Sequence, residues 1–131
     1  AHEATEEERE LFHSFLSDIP GAANFDKPLT LHDSTGCKKC GGMGFRGRIG
    51  VYEGIRVDSA VESAIIEDPR EDNILKAAAG QRVPNMQQDG LIKVLAGLTS
   101  LAELGRIVDL HGEKGIRHSA EAEAPDAETT P

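Results

Sequence analysis

Cys37-Lys-Lys-Cys40 is the stretch of this sequence best equipped for chemistry, and its two cysteines are the only ones in 131 residues. A two-residue spacer lets both thiolates turn toward one metal ion. Glycines at 41, 42 and 44 clear the backbone so that amides can face the sulfurs. A closed structural zinc site takes four ligands, so this pair is half of one. His2, His13, His32, His118 or an acid could complete it, yet none stands at a spacing that ties it to the pair. Two other chemistries stay open. One is a pair of inert free thiols, or an adventitious disulfide. The other is a redox pair, although no strand-to-helix context of thioredoxin type surrounds the cysteines.

Other familiar chemistries lack their residues. The sequence contains no G-x-x-x-x-G-K-[ST] phosphate loop, no H-E-x-x-H and no G-x-S-x-G, and its five histidines are scattered singly. Residues 37–56 do carry a basic cluster, with Lys38, Lys39, Arg46, Arg48 and Arg56 against the single acid Glu53. Such a cluster suits phosphate, RNA or an acidic partner, but with only Phe45 and Tyr52 interleaved it makes a poor stacking platform. The simpler expectation is that Arg46 and Arg48 pair with Glu53 or other acids across a strand.

The elements that must position these residues are legible from their punctuation. Thr5 with Glu8 forms a capping box ahead of Leu11, Phe12, Phe15, Leu16 and Ile19. That predicts an amphipathic helix over 5–19, stopped by Pro20-Gly21. Pro28–His32 reads as a short extended piece. Alternation of Ile49, Val51, Glu53, Ile55 and Val57 predicts a strand over 48–57, with Gly50 and Gly54 hinting at a bulge or an edge. Four helices follow, opened by Asp58 or Ser59, by Asp68-Pro69 with proline at its first position, by Asn85 with Gln88, and by Ser100 with Glu103. The last of these carries Leu101, Leu104, Ile107 and Val108.

The pattern is α+β: an N-terminal amphipathic helix and loop (1–34), a strand-bearing, zinc-ribbon-like CxxC segment (35–57), a bundle of three to four helices (58–111), and an acidic disordered tail (112–131). Seven of the fourteen glycines lie between Gly36 and Gly54, so the turns concentrate around the cysteines. The net charge of −9 is uneven. Residues 1–10 hold five acids and one base, and residues 119–131 hold four acids and no base, which leaves the body nearly neutral. That balance argues against general affinity for nucleic acid or anionic lipid. No apolar run reaches the length of a membrane span and no basic-then-apolar leader opens the chain, so the expected location is the cytoplasm.

The run Gly36-Cys-Lys-Lys-Cys-Gly-Gly-Met-Gly-Phe-Arg-Gly-Arg-Ile-Gly-Val-Tyr-Glu53 resembles the signature of the type II secretion and type IV pilus assembly ATPases. In that family a G-C-x-x-C segment leads into an aromatic-R-G-R-x-G-[IV]-[YF]-E strand. Ala77–Gly80, Met86–Leu91, Lys93-Val94, Gly97–Leu101 and Glu103 continue the likeness in order. The resemblance implies that Cys37 and Cys40 are the second half of a four-cysteine zinc site whose first pair lies upstream, and that the chain opens just past that pair. It further implies a C-terminal piece of a hexameric motor ATPase whose nucleotide site precedes Ala1, so that ATP belongs to the parent protein. Its partners would then be the rest of that ATPase, neighbouring subunits and, indirectly, inner-membrane platform proteins, with no direct membrane insertion. Cys37–Gly44 also fits the C-x-x-C-x-G-x-G repeat of Hsp40-type chaperone zinc domains, but that domain uses several copies and this chain has one. The alternative of a different kind is a stand-alone cytoplasmic adaptor with a CxxC metal or redox site.

Overall fold

The computed structural model describes residues 1–111. In chain order these form β1 (His2–Glu3), α1 (Glu6–Leu16), β2 (Thr30–Leu31), a 3₁₀ turn at Lys38–Cys40, α2 (Ser59–Glu67), α3 (Glu71–Ala78), a second 3₁₀ turn at Ala79–Gln81, α4 (Met86–Leu95) and α5 (Leu101–Leu104). They fall into two compact units. Among the described residues the first joins Ala1–Ile55 to 81–111, and the second is Arg56–Gly80. Among the described residues no helix is long and apolar enough to cross a membrane. The acidic tail expected over 112–131 lies outside them.

In the first unit, α1 starts where its capping box predicts. The Glu8 amide donates to Thr5 Oγ1 at 3.3 Å, and the Thr5 amide to Glu8 Oε2 at 2.8 Å. Glu6, Glu7 and Glu8 then sit in the first turn, where the helix dipole favours them. The helix buries Phe12, Phe15 and Leu16. Its regular bonding ends at Leu16, short of Ile19, and Gly21 turns the chain at φ +75°. The extended piece anticipated at 28–32 is β2, which pairs antiparallel with β1 through His2↔Leu31 and Glu3↔Thr30. Arg9 holds the intervening loop by donating to the carbonyls of Phe25 (3.0 Å) and Lys27 (3.2 Å).

α4 completes this core by burying Leu91 and Val94 against the α1 face, with Leu29, Leu31 and Leu104. Gln88 joins the two helices. Its Oε1 accepts from the Asn85 amide at 2.9 Å, its backbone amide returns a bond to Asn85 Oδ1, and its Nε2 donates to the Phe15 carbonyl at 2.8 Å. Phe15 lies in the last turn of α1, where carbonyls have no partner within the helix. One side chain therefore caps the start of α4 and the end of α1. Gly90 is buried at the next contact, where a Cβ would stand 2.4 Å from Leu104 Cδ1.

In the second unit, α2 begins at the Asp58 cap, whose carboxylate accepts from the Val61 amide at 3.1 Å, and it buries Val61. α3 departs from expectation at its start. Pro69 stays outside the helix, Arg70 is the extended N-cap, and Glu71 is the first helical residue. Asp68 gathers Arg70 Nε (3.0 Å) and Asn73 Nδ2 (2.7 Å), so it organises the approach to the helix from two residues upstream.

Two other expectations are corrected. Residues 48–57 form no strand, and the only sheet among the described residues is the two-stranded β1–β2 pair. The alternating pattern finds no neighbouring strand. Its polar backbone turns instead to side chains of α4, with the Tyr52 amide donating to Asp89 and the Gly50 carbonyl accepting from Lys93. The last helix closes after one turn, Leu101–Leu104. Ser100 Oγ accepts from the Glu103 amide at 3.2 Å, Val108 is buried, and Ile107 turns outward at 69% exposure.

Replacing Gln88 by Leu should lower stability by roughly 2 kcal/mol, because it leaves the Phe15 carbonyl and the Asn85 amide without partners in the interior. Gln88→Glu turns a carboxylate toward the Phe15 carbonyl and Asp18 in the interior, so at neutral pH it should destabilise at least as much as Gln88→Leu and recover as the pH falls. Urea unfolding followed by circular dichroism measures both.

Candidate functional site

The cysteine turn is built by backbone geometry. Cys37 is extended, Lys38–Cys40 make one 3₁₀ turn, and Gly41 at φ +63° and Gly42 at φ +85° reverse the chain. The amides of Cys40 and Gly42 both reach the Cys37 carbonyl, at 3.2 and 3.0 Å. Gly36 allows this closure, since a Cβ there would stand 2.1 Å from the Gly42 carbonyl oxygen. The two sulfurs thus come to 3.5 Å from each other. Sulfurs each about 2.3 Å from a tetrahedral zinc stand roughly 3.8 Å apart, whereas a disulfide draws them to about 2.05 Å. The spacing suits two ligands of one metal ion.

Amides also face the sulfur of Cys40, from Cys37 at 3.1 Å and from Gly44 at 3.2 Å. These bonds favour the thiolate and lower the Cys40 thiol to about 7, the Cys37 amide contributing most. Cys37 is exposed and Cys40 half-buried. Among the described residues, no group of three or more His, Cys, Asp or Glu side chains is placed to hold a metal. His2 pairs with Asp33 at 2.9 Å, His13 packs edge-on against Phe25 with ring centres 5.0 Å apart, and His32 lies against Gly97. His118 lies outside the described residues.

The segment beyond the cysteines is tethered to α4 by Asp89 and Lys93, to which the sequence, beyond the family resemblance, assigns no role. Asp89 accepts from the Tyr52 amide at 2.8 Å and pairs with Lys93 one turn on. Lys93 Nζ donates to the Gly50 carbonyl at 2.9 Å and stands 4.9 Å from the centre of the Tyr52 ring, a cation–π contact. The available signal was the i,i+4 spacing of an acid before a lysine. Its long-range role was hidden because it stabilises α4 on its own account too.

Arg46 and Arg48 do not make the cross-strand pairs expected of them. The ion pairs among the described residues leave both out, and without a strand there is no ladder to bring an acid opposite. Both arginines are exposed and line a groove of about 690 Å³ with Ile49, Leu98 and Ile107.

The sequence model of the family described as "Type II/IV secretion system protein" matches residues 8–106. Type II secretion system ATPase E of Vibrio cholerae is 37% identical over 106 residues, covering 81% of this chain and 19% of that protein. Type II secretion system protein E of Pectobacterium carotovorum is 42% identical over 77 residues, covering 59% and 15%. Type IV pilus assembly ATPase PilB of Thermus thermophilus is 34% identical over 74 residues, covering 56% and 8%. The chain therefore spans less than a fifth of the length of these relatives. No solved structure matches the chain.

Two measurements check this geometry. In a Cys37→Ser variant, which keeps the backbone amides and removes only the smaller contribution of the Cys37 side chain, alkylation of Cys40 by iodoacetamide should reach half its limiting rate below the ordinary thiol pKa in the folded protein. In denaturant the midpoint should rise toward the ordinary thiol value of about 8.5. The sign follows from the lowered folded value: the thiolate's stabilisation is complete above the unfolded pKa and is lost as pH falls through about 7. Separately, Asp89→Ala should speed hydrogen exchange at the Tyr52 amide and cost about 1 kcal/mol. Asp89→Asn retains an acceptor and should preserve most of the protection.

Proposed function

The chain belongs to the type II/IV secretion system protein family, and on that premise we propose that it is a C-terminal piece of a secretion or pilus-assembly motor ATPase. In this reading the parent works as a cytoplasmic hexamer and binds ATP through residues outside this chain. The piece itself supplies packing surface and half of a structural zinc site. Support for a non-catalytic role comes from the sequence, which has no phosphate loop and no acid–base constellation of its own.

The observation that carries the metal reading is the turn itself, with two sulfurs 3.5 Å apart, amides directed at Cys40, and glycines giving the backbone room. Cys37 and Cys40 would hold the ion, and a bound zinc would act as a cross-link between this turn and a second thiolate pair. The packing role draws on exposed apolar side chains. Met43, Tyr52, Leu98 and Ile107 are each 60% or more exposed in the first unit, a pattern expected of surface made to be covered. The partners are then the remainder of the ATPase, its neighbouring subunits and, through them, the inner-membrane platform, with no role for nucleic acid.

The purified chain should show no ATP turnover above background. Hydrolysis that survives repurification and follows the protein through a sizing column would overturn the non-catalytic reading. Zinc-loaded protein should show sulfur ligands at about 2.3 Å by X-ray absorption, and Cys37→Ser should remove that shell. An unchanged spectrum in the variant would remove Cys37 from the metal site.

A further inference from the structure

We propose that the Cys37–Cys40 turn is an oxidisable switch: a hydroperoxide converts its two thiols into an intramolecular disulfide, and closing that bond takes both sulfurs away from a metal. The oxidation follows from the turn alone, and the loss of metal rests on the half-site reading above. Both sulfurs and the backbone that sets their separation lie within residues 36–44, so closing the bond calls on no other segment. The sulfurs stand 3.5 Å apart, and a disulfide draws them to about 2.05 Å. The remaining approach of about 1.5 Å can be taken up at Gly41 and Gly42. Both sit at positive φ, and neither has an atom within 4 Å of where a Cβ would stand. Cys37 precedes a three-residue 3₁₀ turn and not a helix, so the pair lacks the setting of a disulfide-exchange catalyst. What it has is closeness and access.

Exposure sets the order of events. Cys37 is exposed and Cys40 half-buried, so a small peroxide meets Cys37 first. The Cys37 thiolate attacks the peroxide: an S–O bond forms, the O–O bond breaks, and the leaving oxygen takes up a proton and departs as water or an alcohol. The sulfur has given up two electrons and is now a sulfenic acid. Cys40 then attacks that sulfur as thiolate from its place beside it. The S–S bond forms, the S–O bond breaks, and hydroxide leaves as water with the second thiol's proton. Two thiols and one hydroperoxide thus give one disulfide, one water and one alcohol, or two waters where the oxidant is hydrogen peroxide. The amides of Cys37 and Gly44 hold the Cys40 sulfur for this step, donating to it at 3.1 and 3.2 Å. Lys38 and Lys39, both exposed, put positive charge beside the departing hydroxide. A disulfide in so exposed a turn is open to thiol reductants, so the switch reopens. While it is closed, neither sulfur is the thiolate that zinc binds.

The test treats the reduced, metal-free chain with hydrogen peroxide and reads intact mass, thiol count and size. The expected product is a chain of unchanged size, lighter by two hydrogen atoms, with both thiols lost together and a peptide map linking Cys37 to Cys40. Dithiothreitol should restore both thiols. Oxidation at Met43, which is 73% exposed, adds an oxygen instead and so separates by mass. In Cys40→Ser the sulfenic acid on Cys37 has no partner and should be captured by dimedone. Gly36→Ala should slow closure at least about tenfold by separating the two thiols, because its Cβ would stand 2.1 Å from the Gly42 carbonyl oxygen and open the turn. Peroxide that leaves both thiols intact, drives them to sulfinic acid or links separate chains overturns the switch, as does an undiminished rate in Gly36→Ala. Titration of the reduced and oxidised chains with zinc sulfate then tells the two readings apart. Zinc that the reduced chain binds through these cysteines and the oxidised chain does not supports both. Zinc bound by the reduced chain while no disulfide forms overturns the switch and leaves the half-site reading standing. Zinc that the reduced chain does not bind, or that the oxidised chain retains, overturns the half-site reading and the metal half of the proposal, while the disulfide stands.

Discussion

A helix that ends inside a protein leaves carbonyl groups with no partner, and burying one unmet costs as much as several good apolar contacts gain. The first unit meets this cost at the end of α1 with one side chain. Gln88 donates to the Phe15 carbonyl and, with its other end, accepts from the amide that opens α4. Because both bonds belong to the same planar amide, the end of one helix and the start of the other cannot move independently. This fixes the approach of Leu91 and Val94 to Phe12 and Leu16, and in a core with only five aromatic residues in the whole chain little else could enforce it. Gly90, two positions along, lets Leu104 close against the same helix.

The cysteine turn inherits its surroundings from that placement. α4 carries Asp89 and Lys93 next to Gln88, and these hold the backbone at Gly50 and Tyr52 by an amide, a carbonyl and a ring. The chain from Gly36 to Tyr52 is thus pinned at its far end while its near end is shaped by glycines. Between them lies the 3₁₀ turn, whose geometry is set by its own backbone. Local closure explains how a small loop without a strand ladder can still hold two sulfurs in register.

Features encoded by adjacent residues were legible in the sequence: the Thr5–Glu8 and Asn85–Gln88 boxes, the Asp58 and Ser100 caps, and the extended piece containing Thr30-Leu31. Each is a bond between groups three or so positions apart, or a short pattern bounded by turn residues. What escaped was everything that needs a distant partner. The alternation over 48–57 is a sound strand pattern, but a strand exists only beside another, and the sequence of one segment does not say whether a neighbour is present. The same gap removed the expected pairing of Arg46 and Arg48. At the last helix, Ile107 has the right spacing to continue the apolar face. One turn, however, was enough to bury Leu104, and the chain then changes direction so that Val108 packs and Ile107 does not.

The segment that forms no strand, the unpaired arginines and the outward-facing Ile107 share a physical cause. A strand pattern without a neighbour, two guanidiniums outside the ion pairs and apolar side chains facing solvent each lack a counterpart among the described residues. Within the first unit these features gather between Cys37 and Ile55 or beside the groove that segment lines. The helical core on Phe12, Leu16, Leu91 and Val94 is meanwhile closed and satisfied. The first unit is thus complete where its helices pack together and open at the loop that follows the cysteines. The two sulfurs lie in that open loop, and their 3.5 Å separation is set by the backbone of the turn itself, with no help from the helical core.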